Sequence, residues 1–449
     1  MSRPVPVPID LAAVTERALT PALGPVRVTL GDRLPSGDRN VVRRAVAHDG
    51  AGRRHSVVLK RPAGAGLEFA REQAALRLLA DHDVPQVVRL LGANSDPPLL
   101  VLADVGDGPT LADRLFGNDA PSAERAVHAW AVALATSQAA TQQLRSAFAD
   151  ELAAASPLGA LPVETTGETS TDAATAVARL LPRLGVTPST RALDELRGAA
   201  DELTVASPAD AGGLSPGDTC PSNAVESDGR FVLLDFDGAE HRHVAWDAAY
   251  LTVPWPTCWC ALQLPSELTA AALDTWRRTL GQPVPHVRTA AFDDELTRAT
   301  LAWTWWSVGA LLPRTIDDDP PASTRHAPVP RLRAVLQHRL RAVADLPGDS
   351  LPALRRPSRR GRTGHLAGLG PHQPAPGTRL PLTVSQDDRL VRRGRPRKSM
   401  VLELVSGDAA CDLLYVGCGQ NNGALLHGLS QDTANQSRGR DMFRVGTLA

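Results

Sequence analysis

The sequence predicts an α+β protein in which a small β-rich lobe precedes a larger, mostly helical lobe. Short aliphatic runs separated by Gly-bearing turns fill residues 26–60, which is typical of an antiparallel meander. Over much of residues 110–346, apolar residues recur at helical spacing, which is typical of helices that pack through one face. At 449 residues, the chain has room for two or three domains.

The N-terminal lobe is expected to span residues 26–103, after a leader at 1–25. Its turn at 35–40 contains Gly37 and Asn40. It is a candidate cover for phosphate groups, because backbone N–H groups in a Gly-containing turn can face an anion. The elements predicted up to residue 103 are a helix at 11–19, strands at 26–30, 41–47 and 56–60, a helix at 67–80, and strands at 87–91 and 99–103.

The C-terminal lobe is expected to span residues 104–351 and to begin with a hinge at 104–108, where acidic and glycine residues end the strand pattern. Residues 157–172 are rich in Thr, Glu and Gly and predict a loop. The tryptophans at 303–306 are interpreted as core residues. The helices predicted for this lobe lie at 110–115, 123–154 with a break, 173–204, 246–251, 268–280, 292–312 and 331–346.

The composition is that of an ordinary soluble protein, with 43% hydrophobic and 22% charged residues. A net charge of −1 gives no reason to expect binding to nucleic acid or to a membrane. No apolar run approaches the roughly 18 residues of a membrane span, and the N-terminus lacks an export signal, so a cytoplasmic location is expected. Five cysteines do not predict a disulfide framework. Cys258-x-Cys260 lacks the spacing of a zinc site, so no metal is assigned to it.

Lysine is almost absent from this chain. Lys60 and Lys398 are the only two among 48 basic Lys and Arg residues. Lys60 ends an apolar strand, which suggests that a compact ammonium is needed there rather than the planar fork of an arginine. The following helix presents Glu68 and Glu72 on one face, and either carboxylate could hold the ammonium.

The stretch from Leu214 to Asp237 carries the strongest chemical signal. It contains Asp218 and Asn223, then a turn, and then an apolar strand that ends at Asp235. A hairpin would bring these three side chains together. Phosphoryl transfer to a hydroxyl uses such a set: one carboxylate orients the hydroxyl, while an amide oxygen and a second carboxylate hold Mg²⁺. A surface hairpin with incidental acidic residues is the alternative.

The order of these parts resembles the aminoglycoside phosphotransferase family, small-molecule kinases that share a two-lobed architecture with protein kinases. The resemblance rests on Lys60, Glu72, the hinge sequence LLVLADVG, the loop GDTCPSN and the strand end LLDFDGA. It covers about residues 26–345. It implies a protein-kinase-like fold, ATP and Mg²⁺ as cofactors, and a small-molecule hydroxyl acceptor.

The resemblance also implies individual roles. Lys60 would bind the α- and β-phosphates and Glu72 would hold Lys60. Asp218 would be the catalytic base, and Asn223 and Asp235 would bind Mg²⁺. Two further residues have supporting roles: Asp237 would assist the metal or its loop, and Asp247 would support the catalytic loop.

Two departures from the family pattern leave a second function open. Pro216 stands where the family usually has a histidine that braces the loop, and Gly37 is the only glycine in the expected glycine loop. Neither removes a catalytic group. A catalytically impaired, kinase-like nucleotide-binding protein is therefore the alternative function.

The sequence does not identify the acceptor. An aminoglycoside-like compound, a sugar and an amino alcohol all remain open. Acidic clusters at 293–295 and 317–319 suit a cationic acceptor, but acidic groups at helix ends commonly serve the helix dipole. Trp255 and Trp259 could line an acceptor pocket, although packing is the favoured interpretation. The oligomeric state is left open.

Residues 352–449 form a tail rich in Arg, Pro and Gly that cannot build a core and is predicted to be disordered. Residues 393–396, Arg-Gly-Arg-Pro, resemble the core of a minor-groove binder. Such tails produce this tetrapeptide easily, so a DNA-associated role is the least favoured hypothesis.

Overall fold

The computed structural model describes most of residues 9–344. The described ranges are 9–36, 40–62, 66–84, 86–156, 159–184, 190–205, 211–253, 255–260, 263–316, 318–323 and 329–344. The tail predicted at 352–449 lies outside them.

The N-lobe comprises the described residues from Leu11 to Ala103 and is an antiparallel five-stranded sheet with two helices. The strands are β1 (Val26–Leu34), β2 (Asn40–Asp49), β3 (Arg54–Pro62), β4 (Leu90–Ser95) and β5 (Pro98–Ala103), in the order β1-β2-β3-β5-β4. Helix α1 (Leu11–Leu23) packs on this sheet through Val14, Ala18 and Leu19. Helix α2 (Leu67–Asp81) follows β3. The predicted meander is therefore present, and its leader helix is docked against it.

One predicted strand lies elsewhere. The strand expected at 87–91 is found as β4 at Leu90–Ser95, while Val87 forms an isolated parallel bridge to Leu233 of the second lobe. Hydrogen bonds Val88 N to Leu233 O (3.0 Å) and Leu233 N to Gln86 O (2.7 Å) complete this junction. Apolar residues at 87 and 88 thus join the lobes, which is a long-range demand that a local strand pattern does not reveal.

The C-lobe, which comprises the described residues after Ala103, is mostly helical. Two short antiparallel strand pairs lie at its centre: β6 (Gly212–Ser215) with β9 (Glu240–His243), and β7 (Ala224–Ser227) with β8 (Arg230–Leu233). Its helices are α3 (Leu111–Phe116), α4 (Ala120–Thr141), α5 (Arg145–Ala155), α6 (Thr166–Leu180), α7 (Thr190–Val205), α8 (Ala245–Thr252), α9 (Ser266–Leu280), α10 (Ala290–Thr315) and α11 (Leu332–Ala344).

Two helix predictions need correction. Helix α6 begins at Thr166, inside the stretch expected to be a loop, because Thr165 and Thr166 hydrogen-bond the buried Glu240 carboxylate and so fix the start of the helix. The helix predicted at 173–204 is divided between α6 and α7. The break expected within 123–154 is present between α4 and α5.

The main hydrophobic core lies around the central strand pairs. It contains the buried rings of Trp130, Trp246, Trp255 and Trp276, and it includes Phe236 directly after the predicted metal residue. The described residues therefore form an α+β protein with a β-rich lobe followed by a mostly helical lobe, and the predicted α+β fold class is confirmed. No helix within the described ranges is long and apolar enough to cross a membrane.

Candidate active site

Lys60 lies where the two lobes meet. It pairs with Val42 of β2 and Leu100 of β5, and its side chain is buried. Its Nζ lies 2.6 Å from Glu72 Oε2 and 2.5 Å from Asp235 Oδ1. Burial lowers the pKa of this ammonium, but the charges of Asp235, Glu72 and Asp237 outweigh burial and leave the pKa above its usual value. Lys60 is therefore a fixed cation at the lobe junction.

Of the two glutamates on α2, the structure pairs Glu72 with Lys60, whereas Glu68 is exposed. Glu72 Oε1 also accepts the Phe236 N–H (3.3 Å). The neighbouring Arg71 donates to Ala239 O (2.7 Å) and Pro162 O (2.6 Å). Helix α2 therefore holds the segment that contains Asp235 by two adjacent side chains. Arg71 is absent from the sequence predictions because its partners are backbone atoms remote in sequence.

The predicted catalytic and metal segments touch through two glycines. Gly217 has a φ of +88°, and a Cβ added there would lie 2.0 Å from Gly238 O. Only glycine suits both the left-handed conformation and this close approach. Asp218 is the next residue along one segment, and Asp235 precedes Gly238 by three residues along the other. Asp235 itself has a φ of 60°, a strained conformation of the kind that clusters at functional sites.

Asp218 is a half-buried carboxyl group with two hydrogen bonds on one oxygen. Thr257 Oγ1 donates to Asp218 Oδ1 (2.6 Å), and so does the Cys220 N–H (3.1 Å). Burial raises the pKa of Asp218 to about 6, with Asp235 adding to the rise and Thr257 opposing it. Both of these hydrogen bonds are made to Oδ1.

Asn223 and Asp235 meet the chemical requirements of a Mg²⁺ site. The Leu234 N–H donates to Asn223 O (2.8 Å), which ties the backbone just before Asp235 to that of Asn223. Asn223 Nδ2 donates to Asp218 O (3.2 Å), so the amide oxygen is directed away from that bond. A carboxylate and an amide oxygen are hard ligands of the kind that Mg²⁺ prefers. The donor set present therefore fits the metal that the resemblance implies.

Of the other predicted binding residues, Asn40 lies at the start of a strand and Gly37 lies outside the described residues. Asn40 begins β2 opposite Pro62, two residues from the pair formed by Val42 and Lys60. Asp237 is half-buried and contributes to the negative potential around Lys60.

Asp247 is the centre of a buried polar cluster behind the loop that contains Asp218. Its Oδ1 accepts Ser215 Oγ (2.8 Å) and Arg242 Nη2 (2.5 Å), and its Oδ2 accepts Gln138 Nε2 (2.8 Å). The resemblance assigns Asp247 a supporting role, and these contacts suit that role. Thr257, Tyr250 and Arg242 were not singled out by sequence reasoning, because their contacts join elements that only the tertiary fold brings together.

Three cysteine sulfurs lie together next to the catalytic loop. A disulfide joins Cys220 to Cys258, and the buried free thiol of Cys260 lies 3.7 Å from Cys220 Sγ. A disulfide was not expected from the odd number of cysteines. Cys220 is 38 residues away in sequence, so no local spacing indicates the pairing. The disulfide connects the loop of Asp218 to a bend at residues 255–260, which carries Thr257.

A histidine–glutamate cluster lies apart from this site. His286 Nε2 is 2.8 Å from Glu295 Oε2 and His243 Nε2 is 3.3 Å from the same oxygen. The Ala245 N–H donates to His243 Nδ1. The cluster joins α10, β9 and the turn at 285–288 through the hydrogen bond between His286 and Glu295 and the close approach of His243 to the same carboxylate.

The two tryptophans of the bend differ in their surroundings. Trp255 is fully buried against Trp130, with ring centroids 5.1 Å apart. Trp259 is partly exposed and stacks on Phe116 at 5.5 Å. Among the predicted acidic clusters, Asp293 pairs with Arg277 and Glu295 belongs to the histidine cluster. The packing interpretation thus describes Trp255 better than Trp259.

No protein-family model and no curated protein sequence matches this chain. Solved structures similar to it include an amicoumacin kinase in complex with AMP-PNP, Ca²⁺ and Ami, at 17% identity over 77% of this chain and 96% of that chain, with a TM-score of 0.43. A macrolide 2'-phosphotransferase from Brachybacterium faecium is 17% identical over 75% of this chain and 97% of that chain, with a TM-score of 0.39. An ADP-bound aminoglycoside phosphotransferase is 13% identical over 70% of this chain and 94% of that chain, with a TM-score of 0.40. Aminoglycoside and macrolide phosphotransferases are thus among the solved structures similar to this chain.

Proposed function

We propose that this chain is an ATP- and Mg²⁺-dependent phosphotransferase that moves the γ-phosphoryl group to a hydroxyl of a small molecule. The observation that carries the proposal is the Lys60 ammonium held between Glu72 and Asp235, at 2.6 Å and 2.5 Å, where the lobes meet. Phosphoryl transfer depends mainly on positioning and charge neutralisation. A buried, oriented ammonium beside two candidate metal ligands and a carboxylate base supplies both.

In this proposal, different residues of the chain bind the phosphates, orient the acceptor and accept its proton. Lys60 binds the α- and β-phosphates, and Glu72 keeps it in place from α2. Asp218 orients the acceptor hydroxyl and accepts its proton at Oδ2. A pKa of about 6 leaves this carboxylate ionised at neutral pH and more basic than an ordinary aspartate. The turn containing Gly37 and Asn40 covers the phosphates in this proposal.

Asn223 and Asp235 would hold Mg²⁺, with Asp237 assisting the metal or its loop. When bound, the ion supplies neutralisation of the charge that develops on the phosphoryl oxygens. Removal of divalent ions with EDTA is accordingly part of the test of this proposal.

The acceptor class belongs to the same proposal. Aminoglycoside-like compounds, sugars and amino alcohols are the classes to test, in a cytoplasmic setting. Partly exposed Trp259, in the bend that follows Thr257, is the described aromatic side chain best suited to contact an acceptor.

The first prediction concerns Asp218→Asn. Loss of the base is expected to reduce turnover by roughly 10²- to 10⁴-fold, while Mg·ATP binding is retained, because the phosphate-binding Lys60 is untouched. ADP production over a panel of hydroxyl compounds measures turnover, and calorimetric titration with Mg·ATP measures binding.

Asp228→Asn is the matched control, since Asp228 is exposed in the turn between β7 and β8, after the loop of Asp218, and asparagine tolerates its φ of 49°. Undiminished turnover in Asp218→Asn would contradict the assignment of Asp218 as the catalytic base. Mg·ATP binding without turnover by the unsubstituted protein would instead favour a catalytically impaired, nucleotide-binding protein.

A further inference from the structure

Arg242 is a fully buried cation that reaches the catalytic loop from another strand. It lies in β9, opposite Gly213 of β6, and β6 leads directly into the loop of Asp218. Its side chain is 2% exposed. A guanidinium in such a position needs several acceptors to offset its lost hydration.

The acceptors of Arg242 come from three different segments. Nη2 donates to Gly217 O (3.1 Å) and to Asp247 Oδ1 (2.5 Å), and Nη1 donates to Thr166 Oγ1 (2.6 Å). The guanidinium also lies 5.7 Å from the centroid of a Trp303 ring. The planar fork of an arginine can serve acceptors in several directions at once, whereas an ammonium is a single point charge.

The contact at Gly217 matters because this carbonyl belongs to the peptide group that begins Asp218. Tyr250 OH donates to the same oxygen (3.3 Å), and the Gly217 N–H donates to Ser215 Oγ (2.9 Å). Ser215 Oγ in turn donates to Asp247. The peptide groups on both sides of Gly217 are therefore held by one buried network whose positive charge is Arg242.

The residue before Gly217 cannot provide this support. Pro216 has no backbone N–H and no polar side-chain atom, so it donates no hydrogen bond to the loop. Glycine adopts the φ of +88° at position 217 without strain but is conformationally free, so hydrogen bonds to its peptide groups restrict the loop.

We propose that Arg242 is a positioning residue that fixes the peptide group of Asp218 by bridging Gly217 O to Asp247. This role rests on the proposed phosphotransferase function and deepens it. Arg242 does not touch the substrate. It sets the direction of the carboxylate that does, in place of any side chain at position 216.

The test compares three variants in the full chain, with Mg·ATP as the probe and ADP production as the assay, with water as acceptor or with whichever acceptor the panel identifies. Arg242→Gln combined with Asp247→Asn removes the closest buried ion pair and shortens the reach to Gly217 O, while Glu240, 3.8 Å from Arg242 Nη1, keeps its hydrogen bonds to Thr165 and Thr166. Arg242→Lys keeps the charge opposite Asp247 but loses the fork. Arg145→Gln is the control, because Arg145 donates to His241 O of the same strand (2.7 Å) without contacting the loop.

The double variant is expected to lower kcat by roughly tenfold or more, because a displacement of a catalytic group by about 1 Å can cost up to 10²-fold. The KM for ATP is expected to stay within about twofold of that of the unsubstituted protein, because phosphate binding by Lys60 is unaffected. Arg242→Lys is expected to lie between the double variant and the unsubstituted protein, and Arg145→Gln to retain full kcat. A merely structural role would instead lower the folded fraction without separating kcat from KM.

If the double variant does not fold, as judged by circular dichroism, Arg242→Lys decides the question alone. A kcat equal to that of Arg145→Gln in the folded variant would overturn the positioning role while leaving the phosphotransferase function in place. Absence of turnover in the unsubstituted protein would overturn the proposed function, and the role of Arg242 with it.

Discussion

Burial of the Glu164 carboxyl group raises its pKa by more than the neighbouring positive charges lower it. Its side chain is 4% exposed, and neither carboxylate oxygen has a hydrogen-bond partner among the described residues. Arg145 Nη1 lies 3.6 Å away. Burial raises the pKa of Glu164 to about 7, Glu240 adds to the rise, and Arg145 and Arg242 oppose it.

This shift predicts a pH-dependent loss of stability. Between its ordinary pKa of 4.5 and about 7, Glu164 keeps a proton in the folded protein that it has lost in the unfolded chain. Stability therefore falls as pH rises through this window, by at most about 3 kcal/mol. Glu164→Gln is expected to remove this fall and to be more stable than the unsubstituted protein at pH 8. Urea unfolding at pH 5 and pH 8 measures both effects.

The neighbouring Glu168→Gln provides the comparison, since Glu168 is exposed in α6. It should leave the pH dependence of the parent protein intact. An unchanged pH dependence in Glu164→Gln would show that this carboxyl group is solvated at neutral pH.

At the residue scale, the sequence singles out residues that are unusual by themselves and passes over residues whose contacts only the fold supplies. The sequence indicates Lys60 and Asp218 because a lone lysine in a strand and an acidic residue in a Gly-Asp loop are unusual by themselves. It does not indicate Arg242 and Thr257, because arginine is abundant in this chain and threonine has no distinctive chemistry. Their significance comes from contacts with Gly217 and Asp218 over 25 and 39 positions.

Helix α1 shows how an element can be predicted while its position is not. The sequence predicts a helix at 11–19, and in the structure Asp10 caps it, with Ala13 N donating to Asp10 Oδ1 (3.1 Å). Nothing local indicates that Ala18 presses against β4. A Cβ at Gly92 would lie 2.2 Å from Ala18 O, so glycine at position 92 permits this docking.

Gly92→Ala is expected to destabilise the protein by about 1–3 kcal/mol, because an added methyl group must push α1 from the sheet. The effect should appear as faster amide exchange in α1 and a lower unfolding temperature. Gly50→Ala, in the turn between β2 and β3, is the matched substitution, because a Cβ there meets no atom within 4 Å. Equal stability of the two variants would contradict close packing of α1 on β4.

The remaining element-scale differences have the same origin. Helix α6 begins earlier than its composition suggests because Glu240, about 75 residues later, caps its first residues. Residues 87 and 88 leave the predicted strand because Gln86 and Val88 hydrogen-bond Leu233 on either side of the Val87 bridge. Local patterns predicted that elements exist, and distant partners decided where they start and end.

At the scale of the whole molecule, the disulfide between Cys220 and Cys258 closes a large loop. The bond spans 38 residues, and the loss of chain entropy in the unfolded state can stabilise the fold by up to about 4 kcal/mol. Dithiothreitol is therefore expected to lower the unfolding temperature of the parent protein. A Cys220→Ser/Cys258→Ser variant should show no such response.

Cys260→Ser is the control, because this buried thiol lies beside the disulfide without belonging to it. It should respond to the reductant as the parent does. Identical unfolding of the parent with and without dithiothreitol would argue that the two cysteines are unpaired in solution.

The scarcity of lysine has a practical consequence for the intact protein. Lys60 shares the chain with one other lysine, Lys398, which lies outside the described residues. Protein produced with lysine labelled by ¹³C at its ε-carbon therefore contains two labelled side chains, one of them held between Glu72 and Asp235. Its resonance sits in a buried, charge-paired environment that differs from that of a solvated amine. The chain thus contains its own spectroscopic reporter at the junction of its lobes, which would follow any change in the partners of Lys60 without an added probe.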